Sequence, residues 1–240
     1  MTAFFYQAVL QWKLDLRNRD VLLTYYLVPL VFFLFMGGIL TSLDPGAKET
    51  VIPAMSVFAV SMGAFLGAPV PLTALYGSET KKAYQVGRIP LWAPAASNFL
   101  SAFVHLFLVS LLILLLAPPL FDASLPPHLP LYLGTMALFL FSCLCLGTAL
   151  GLFFQTSSRL TMVAQVFFLP SIMLSGALFP AAFLPDPLRL AGRLFPASWS
   201  YSLLTGEGGW PAVAALLLIS LVALGLCGWR LSKRGGLLTR

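Results

Sequence analysis

Hydrophobic positions along this chain come in long unbroken runs separated by short charged clusters. They show neither strand-like alternation nor a heptad stripe. Six stretches contain no Asp, Glu, Lys or Arg: 21–43, 50–78, 89–121, 123–158, 160–185 and 208–229, between 22 and 36 residues long. A helix needs about 20 mostly apolar residues to cross a bilayer, so each stretch holds one span and none comfortably holds two. Spans are expected near 21–40, 51–76, 95–116, 130–154, 161–178 and 211–229. They must be helices, because backbone polar groups in lipid have to be satisfied within the segment. A barrel would show alternating segments of about 10 residues. The pattern predicts an all-α integral membrane protein whose six-helix transmembrane domain covers 21–229, preceded by segment 1–20 and followed by a basic cytoplasmic tail, 230–240.

Segment 1–20 is itself patterned. At 100° per residue Phe5, Val9, Trp12 and Leu16 share one narrow face, with Gln7, Gln11, Asp15 and Asn18 opposite and Leu10 and Leu14 intruding on the polar side. This predicts an interfacial amphipathic helix with Trp12 at headgroup depth. Lys13, Asp15, Arg17, Arg19 and Asp20 crowd its end, which reads either as a membrane-surface anchor or as a docking surface for a cytoplasmic partner.

Composition narrows the class. Hydrophobic residues make up 59% of the 240 and charged residues 9%, where a soluble domain carries about 25% charge. A soluble globular enzyme is excluded, and 20 Phe with 5 Trp exclude low-complexity disorder. Eleven basic residues fall on the side of the two termini: Lys13, Arg17, Arg19, Lys81, Lys82, Arg88, Arg159, Arg230, Lys233, Arg234 and Arg240. Three fall on the other side, Lys48, Arg189 and Arg193. By the positive-inside rule both termini face the cytoplasm of a multi-pass protein of the cell (plasma or inner) membrane. The net charge of +6 is then topology and attraction to anionic membrane lipids, with no nucleic-acid partner, since no basic stripe is interleaved with exposed aromatics. No cleavable signal peptide is expected, because the first 20 residues carry five charges and the first apolar run is of full spanning length.

Candidate chemistry is sparse. No acidic residue lies in any expected span, whereas ion-coupled carriers keep an intramembrane ionisable group. Cys143, Cys145 and Cys227 read as buried small residues, and His105 and His128, isolated from cysteine or carboxylate, form no metal site. His105 reads as a hydrogen-bonded packing residue. Ser175-Gly176 superficially suggests a nucleophile, but only those two histidines could serve it as a base. No phosphate-binding loop is present, so no catalytic residue, cofactor or metal is assigned to this chain.

Proline and glycine cluster in two spans. The second carries Pro53, Pro69 and Pro71, and the fifth Pro170, Ser175, Gly176 and Pro180. Such breaks are tolerated where the helix lines protein or a cavity. Gly63 with Gly67 and Gly147 with Gly151 are small residues four apart, expected to pack within the molecule more often than to form an oligomer seam. Past the fifth span, Leu184-Pro185-Asp186-Pro187, the amphipathic stretch 188–195, Pro196, Trp199 and Tyr201 predict a re-entrant outer helical hairpin pinned by aromatics between helices five and six.

The run Leu169-Pro170-Ser171-Ile172-Met173-Leu174-Ser175-Gly176-Ala177-Leu178-Phe179-Pro180, with Leu184-Pro185 and Pro196 after it, resembles the membrane (permease) subunits of type-2 ABC exporters. In that family a fifth helix ends in a Ser-Gly pair followed by an aromatic-proline pair and a Leu-Pro. The order of the remaining elements agrees over almost the whole chain. The first cytoplasmic loop, Ser78-Glu79-Thr80-Lys81-Lys82-Ala83-Tyr84 and then Arg88-Ile89-Pro90, keeps the family's spacing from Glu79 to Pro90. It lacks the family's Gly-Thr, and two lysines replace its mixed charges. On its own, this loop also reads as a basic topogenic segment.

The resemblance implies alternating access driven by two copies of an ABC ATP-binding subunit, which would hold the ATP and Mg. A second permease chain, the same or homologous, would complete a pathway formed mainly by helices one, two and five. The ATPase would dock beneath the first helix and the 79–88 loop, making Lys13, Arg17, Arg19, Glu79, Lys81, Lys82 and Arg88 the coupling residues. Met173, Ser175, Gly176, Phe179 and Pro180 would form an outer gate, with Gly176 small so that backbones can approach. An apolar pathway points to export of an amphipathic, lipid-like or drug-like substrate. Two alternatives stand beside this: an ATP-independent secondary transporter or channel, which fits broken helices but lacks intramembrane charge, and a non-transport membrane scaffold, which leaves the outer hairpin without a purpose.

Overall fold

The computed structural model describes residues 2–77, 90, 92–154 and 156–236, and among these all regular structure is helical. Helix α1 (Thr2–Arg17) ends at Asn18, whose extended backbone breaks the helix and whose side chain accepts from the Asp20 N–H at 3.0 Å. That N-cap starts α2 (Arg19–Leu43). Then come α3 over 47–77, α4 (Trp92–Phe121), α5 (Leu129–Phe153), α6 (Ser157–Met173), α7 (Asp186–Gly192), α8 (Pro196–Leu204) and α9 (Trp210–Gly236).

Helix α3 is the axis of the bundle. Every residue from Val51 to Ser61 is buried, as expected of a helix that is apolar all round and surrounded by protein. Helices α2, α4, α5, α6 and α8 pack around it. The core runs from Tyr25 and Phe33 of α2 through Phe65 of α3 and Leu106 and Ile113 of α4 to Phe139 and Leu144 of α5. Helix α9 lies outermost against α5, pinned by a hydrogen bond between Ser142 and Ser220 at 2.8 Å.

Two helices depart from α geometry at matching places. A π-turn occupies Leu23–Leu27 of α2, just before Pro29, and another occupies Gly63–Gly67 of α3, just before Pro69. Proline lacks the N–H that would bond the carbonyl four residues back. The ladder widens by one residue instead, with Ala68 N–H reaching Gly63 O at 2.8 Å. The two π-turns pack against each other.

Five helices are long and apolar enough to cross a membrane: Arg19–Leu43, Ala47–Thr73, Trp92–Phe121, Leu129–Phe153 and Trp210–Lys233. The chain is thus an all-helical multi-pass membrane protein. The segment expected over 161–178 differs: α6 has 17 residues and stops at Met173. At about 1.5 Å per residue it reaches roughly 26 Å, short of a hydrocarbon core of about 30 Å. The helix ends early because Ser175 caps it and Gly176 turns the chain at φ +87°.

Candidate functional site: the joint between the first helix and the bundle

Helix α1 docks on α4 with its polar stripe inward. Ala8 and Asp15 are buried and Gln11 and Trp12 half-buried, while Val9, Leu10, Leu14 and Leu16 are exposed. The sequence expectation had placed the apolar face, with Trp12, in the membrane and Asp15 on the opposite, solvated side. The structure corrects it. The apolar residues do face outward, but Asp15 turns into the protein because α4 offers it a partner.

That partner is a polar stripe on α4. Asn98, Ser101 and His105 recur at helical spacing on an otherwise apolar helix, and all three are buried. Ser101 Oγ donates to Asp15 Oδ2 at 2.6 Å, and Gln11 Nε2 donates to Asp15 Oδ1 at 2.9 Å. No basic side chain pairs with Asp15 among the described residues. One turn along, Asn98 Nδ2 donates to the Ala68 carbonyl at 2.9 Å, at the end of the α3 π-turn. One turn the other way, His105 Nδ1 lies 2.8 Å from the Tyr26 hydroxyl, a hydrogen bond into the α2 π-turn. His105 is therefore the hydrogen-bonded packing residue the sequence indicated.

Aromatic rings close the joint. Trp12 stacks on His105 with centroids 6.0 Å apart and an interplanar angle of 22°, and Tyr25 and Tyr26 flank the same imidazole at 5.8 and 5.7 Å. Tyr25 fills the space above Gly67, where a Cβ would strike its ring. One residue triplet on α4 thus ties together the first helix and both π-turns. Trp12 Nε1 and His105 Nε2 are buried without a partner among the described residues. Such orphaned groups cost free energy while docked and recover hydration when the surfaces part. The joint therefore combines one strong charge-assisted bond with features that favour opening.

Of the residues expected to couple to an ATPase, Lys13, Arg17 and Arg19 are exposed on or beside the outward side of α1. Glu79, Lys81, Lys82 and Arg88 lie outside the described residues, as do the side chains of Phe5 and Arg234 and all of Arg240. Asp15, Ser101, Asn98, Tyr25 and Tyr26 were not singled out from sequence. The detectable signal was the spacing of Asn98, Ser101 and His105.

At the opposite end of the bundle, the expected gate residues form one turn. Ser175 Oγ donates to Ile172 O at 2.8 Å and accepts from Ala177 N–H at 3.1 Å, so its hydroxyl is committed to the cap. A Cβ on Gly176 would sit 3.4 Å from Tyr201 Cδ1, an ordinary contact. The expectation that Gly176 must be small for close backbone approach is corrected: its positive φ is what calls for glycine. Met173, Phe179 and Pro180 are exposed. Helices α7 and α8 fold back beneath this turn, Ser198 Oγ donating to Gly192 O at 2.7 Å and to Leu174 O at 3.3 Å. Trp199 Nε1 donates to Arg193 O at 2.7 Å. Burial, partly offset by a hydrogen bond with Thr50, raises the Tyr201 phenol pKa above its ordinary value, so this ring is a neutral polar group.

The close glycine approaches lie elsewhere. On α5, a Cβ at Gly147 would strike the Ala64 carbonyl and one at Gly151 would sit 2.8 Å from the Pro69 carbonyl. These glycines, with Gly63 and Gly67, pack within the chain. The three cysteines are buried and unpaired.

Among proteins of curated function, none matches this chain. The family described as ABC-2 type transporter matches residues 2–206, which takes in the docked first helix, both π-turns and the whole Ser175–Thr205 segment. The chain is a transport subunit and belongs to the ABC-2 type transporter family.

Proposed function

We propose that this chain is the permease half of an ATP-driven exporter, working as a pair with a second permease chain above two ATP-binding subunits. The observation that carries the reading is the mounting of α1. Its buried side is bonded to α4 through Asp15 and Ser101, while Lys13, Arg17 and Arg19 stand exposed. A helix gripped on one side and presenting charge on the other can pass a push from a soluble subunit to α4, and through Asn98 and His105 to the π-turns of α2 and α3. ATP binding favours one arrangement of the ATPase pair, and the membrane pair follows by that differential affinity.

In this reading both termini are cytoplasmic, and the short α6 together with α7 and α8 forms the fifth span and its re-entrant outer hairpin. Helix α3 is enclosed by its own chain, so the surfaces available to a second chain belong to α2 and α6. On α6 these are Met162, Val166, Leu169 and Met173, an exposed apolar stripe at helical spacing. A pathway between such stripes suits an amphipathic or lipid-like substrate.

The test is reconstitution with the ATP-binding subunit. The permease alone hydrolyses no ATP. With its partner, Glu79→Ala and Arg88→Ala lower transport more than assembly. Unchanged transport in Glu79→Ala, Lys82→Ala and Arg88→Ala alike would overturn the coupling assignment. Transport at full rate without any ATPase would overturn the reading itself.

A further inference from the structure

A groove of about 450 Å³ opens where α4 begins, α5 ends and the C-terminal part of α9 crosses them. Trp92, Phe99, Phe141, Leu152, Leu224 and Leu231 line it, and the polar atoms on its walls come from Thr148 and the buried thiols. It faces outward from the bundle, where membrane hydrocarbon would meet it.

The mouth of this groove is charged. Arg230 Nε donates to the carbonyl of Leu152, a lining residue, at 3.4 Å, and its guanidinium lies 5.3 Å from the Phe153 ring. One turn on, Lys233 Nζ sits 4.2 Å from the Trp229 ring. Neither cation has a carboxylate partner among the described residues. Helices α4, α5 and α9 contain no acidic residue at all. Two cations are thus held at the end of an apolar slot, with no anion supplied by any helix that forms it.

We propose that this groove is a binding site for an anionic phospholipid, one acyl chain lying along the slot and the phosphate held by Arg230 and Lys233. The charge decides between occupants. A second copy packed by a two-fold axis through this face would bring Arg230 and Lys233 toward their own duplicates, and a zwitterionic lipid would leave them without net compensation. A basic cluster between transmembrane helices is the arrangement that selects acidic headgroups. The proposal depends only on the chain's being embedded in a bilayer, not on what it transports.

Trp92 lines the groove and serves as the probe. In full-length protein keeping only this tryptophan (Trp12, Trp199, Trp210 and Trp229 replaced by Phe), fluorescence is read in vesicles of phosphatidylglycerol and phosphatidylcholine. One lipid at a time carries bromine on its chains. Each cation near the surface favours an acidic lipid by about fivefold, so the pair should give a preference of roughly 5- to 30-fold at the site. Brominated phosphatidylglycerol should therefore quench Trp92 well beyond its bulk mole fraction. Arg230→Gln with Lys233→Gln should abolish the excess, and a variant keeping only Trp210, at the far end of α9, should show none. Equal quenching by the two lipids, or an excess that survives the double substitution, would overturn the proposal. So would absence of quenching by either, the result expected if protein fills the slot. A second measurement avoids the tryptophan replacements: native mass spectrometry of the unmodified chain should retain phosphatidylglycerol over phosphatidylcholine, and Arg230→Gln/Lys233→Gln should not. Equal retention by the unmodified chain would also refute it.

Discussion

Replacing Asp15 by Ala should free the first helix from the bundle without unfolding the bundle. The Ser101 hydroxyl that donates to Asp15 belongs to a residue 2% exposed, so losing its acceptor leaves a buried donor with nothing to bond. Hydrogen bonds to charged groups contribute about 1.5–3 kcal/mol. Gln11 is half-buried, so water replaces most of what its amide loses. At 1.4 kcal/mol per decade the equilibrium for lifting α1 should rise roughly 10- to 150-fold. Ala8, 8% exposed on the inward side of α1, reports that lifting. In an Ala8→Cys background, peptide-resolved thiol labelling should accelerate by the same factor, while Cys143 and Cys145, both 0% exposed, stay unlabelled. Asp15→Asn keeps an acceptor, but a neutral bond is about half as strong, so its effect should be smaller. Ser101→Ala combined with Asp15→Ala should cost less than the two single effects added, because both remove the same bond. Strict additivity, or labelling unchanged in Asp15→Ala, would refute the view that this bond holds the helix.

Two glycine substitutions separate space from conformation. Gly147→Ala puts a methyl into the Ala64 carbonyl and should lower thermal stability by the ~1–3 kcal/mol typical of overpacking, whereas Gly134→Ala, with nothing within 4 Å, should be neutral or stabilising. At Gly176 (φ +87°) an alanine has room but strains the backbone by about 1–2 kcal/mol, so Gly176→Ala should lower stability and Gly176→Asn, tolerated in left-handed geometry, should recover part of it.

How much of this was legible from the residues depends on whether the cause was local. The apolar runs predicted the spans because the solvent imposes their length, and three of the five qualifying helices extend past the expected limits at both ends. The fifth segment ended early for a reason also written locally. Ser175-Gly176 is a cap followed by a left-handed turn, and treating it as the end of a full-length span gave too much weight to the apolar residues around it. The small-residue pairs were correctly read as internal packing, yet what they touch was not readable: that Gly147 meets the carbonyl of Ala64 depends on a π-turn in another helix. Proline at 29 and 69 marks where a ladder must break, but whether it breaks as a kink or as an extra residue is decided by neighbours. Here Asn98, 30 residues away in sequence, takes the carbonyl of Ala68.

The first helix shows why amphipathicity alone misled. Two-faced patterning states which residues differ from which, not which side a protein neighbour occupies. For a helix lying between lipid and a bundle, the apolar side is satisfied by lipid, so the side that needs protein is the one carrying Asp15, a carboxylate that lipid cannot solvate. Ser101 meets that need from a position 86 residues on. An acidic residue in the interfacial helix and a buried hydroxyl stripe in a later span are each ordinary alone. Together they specify which face docks, and they make the docked state depend on one bond a moving partner can break.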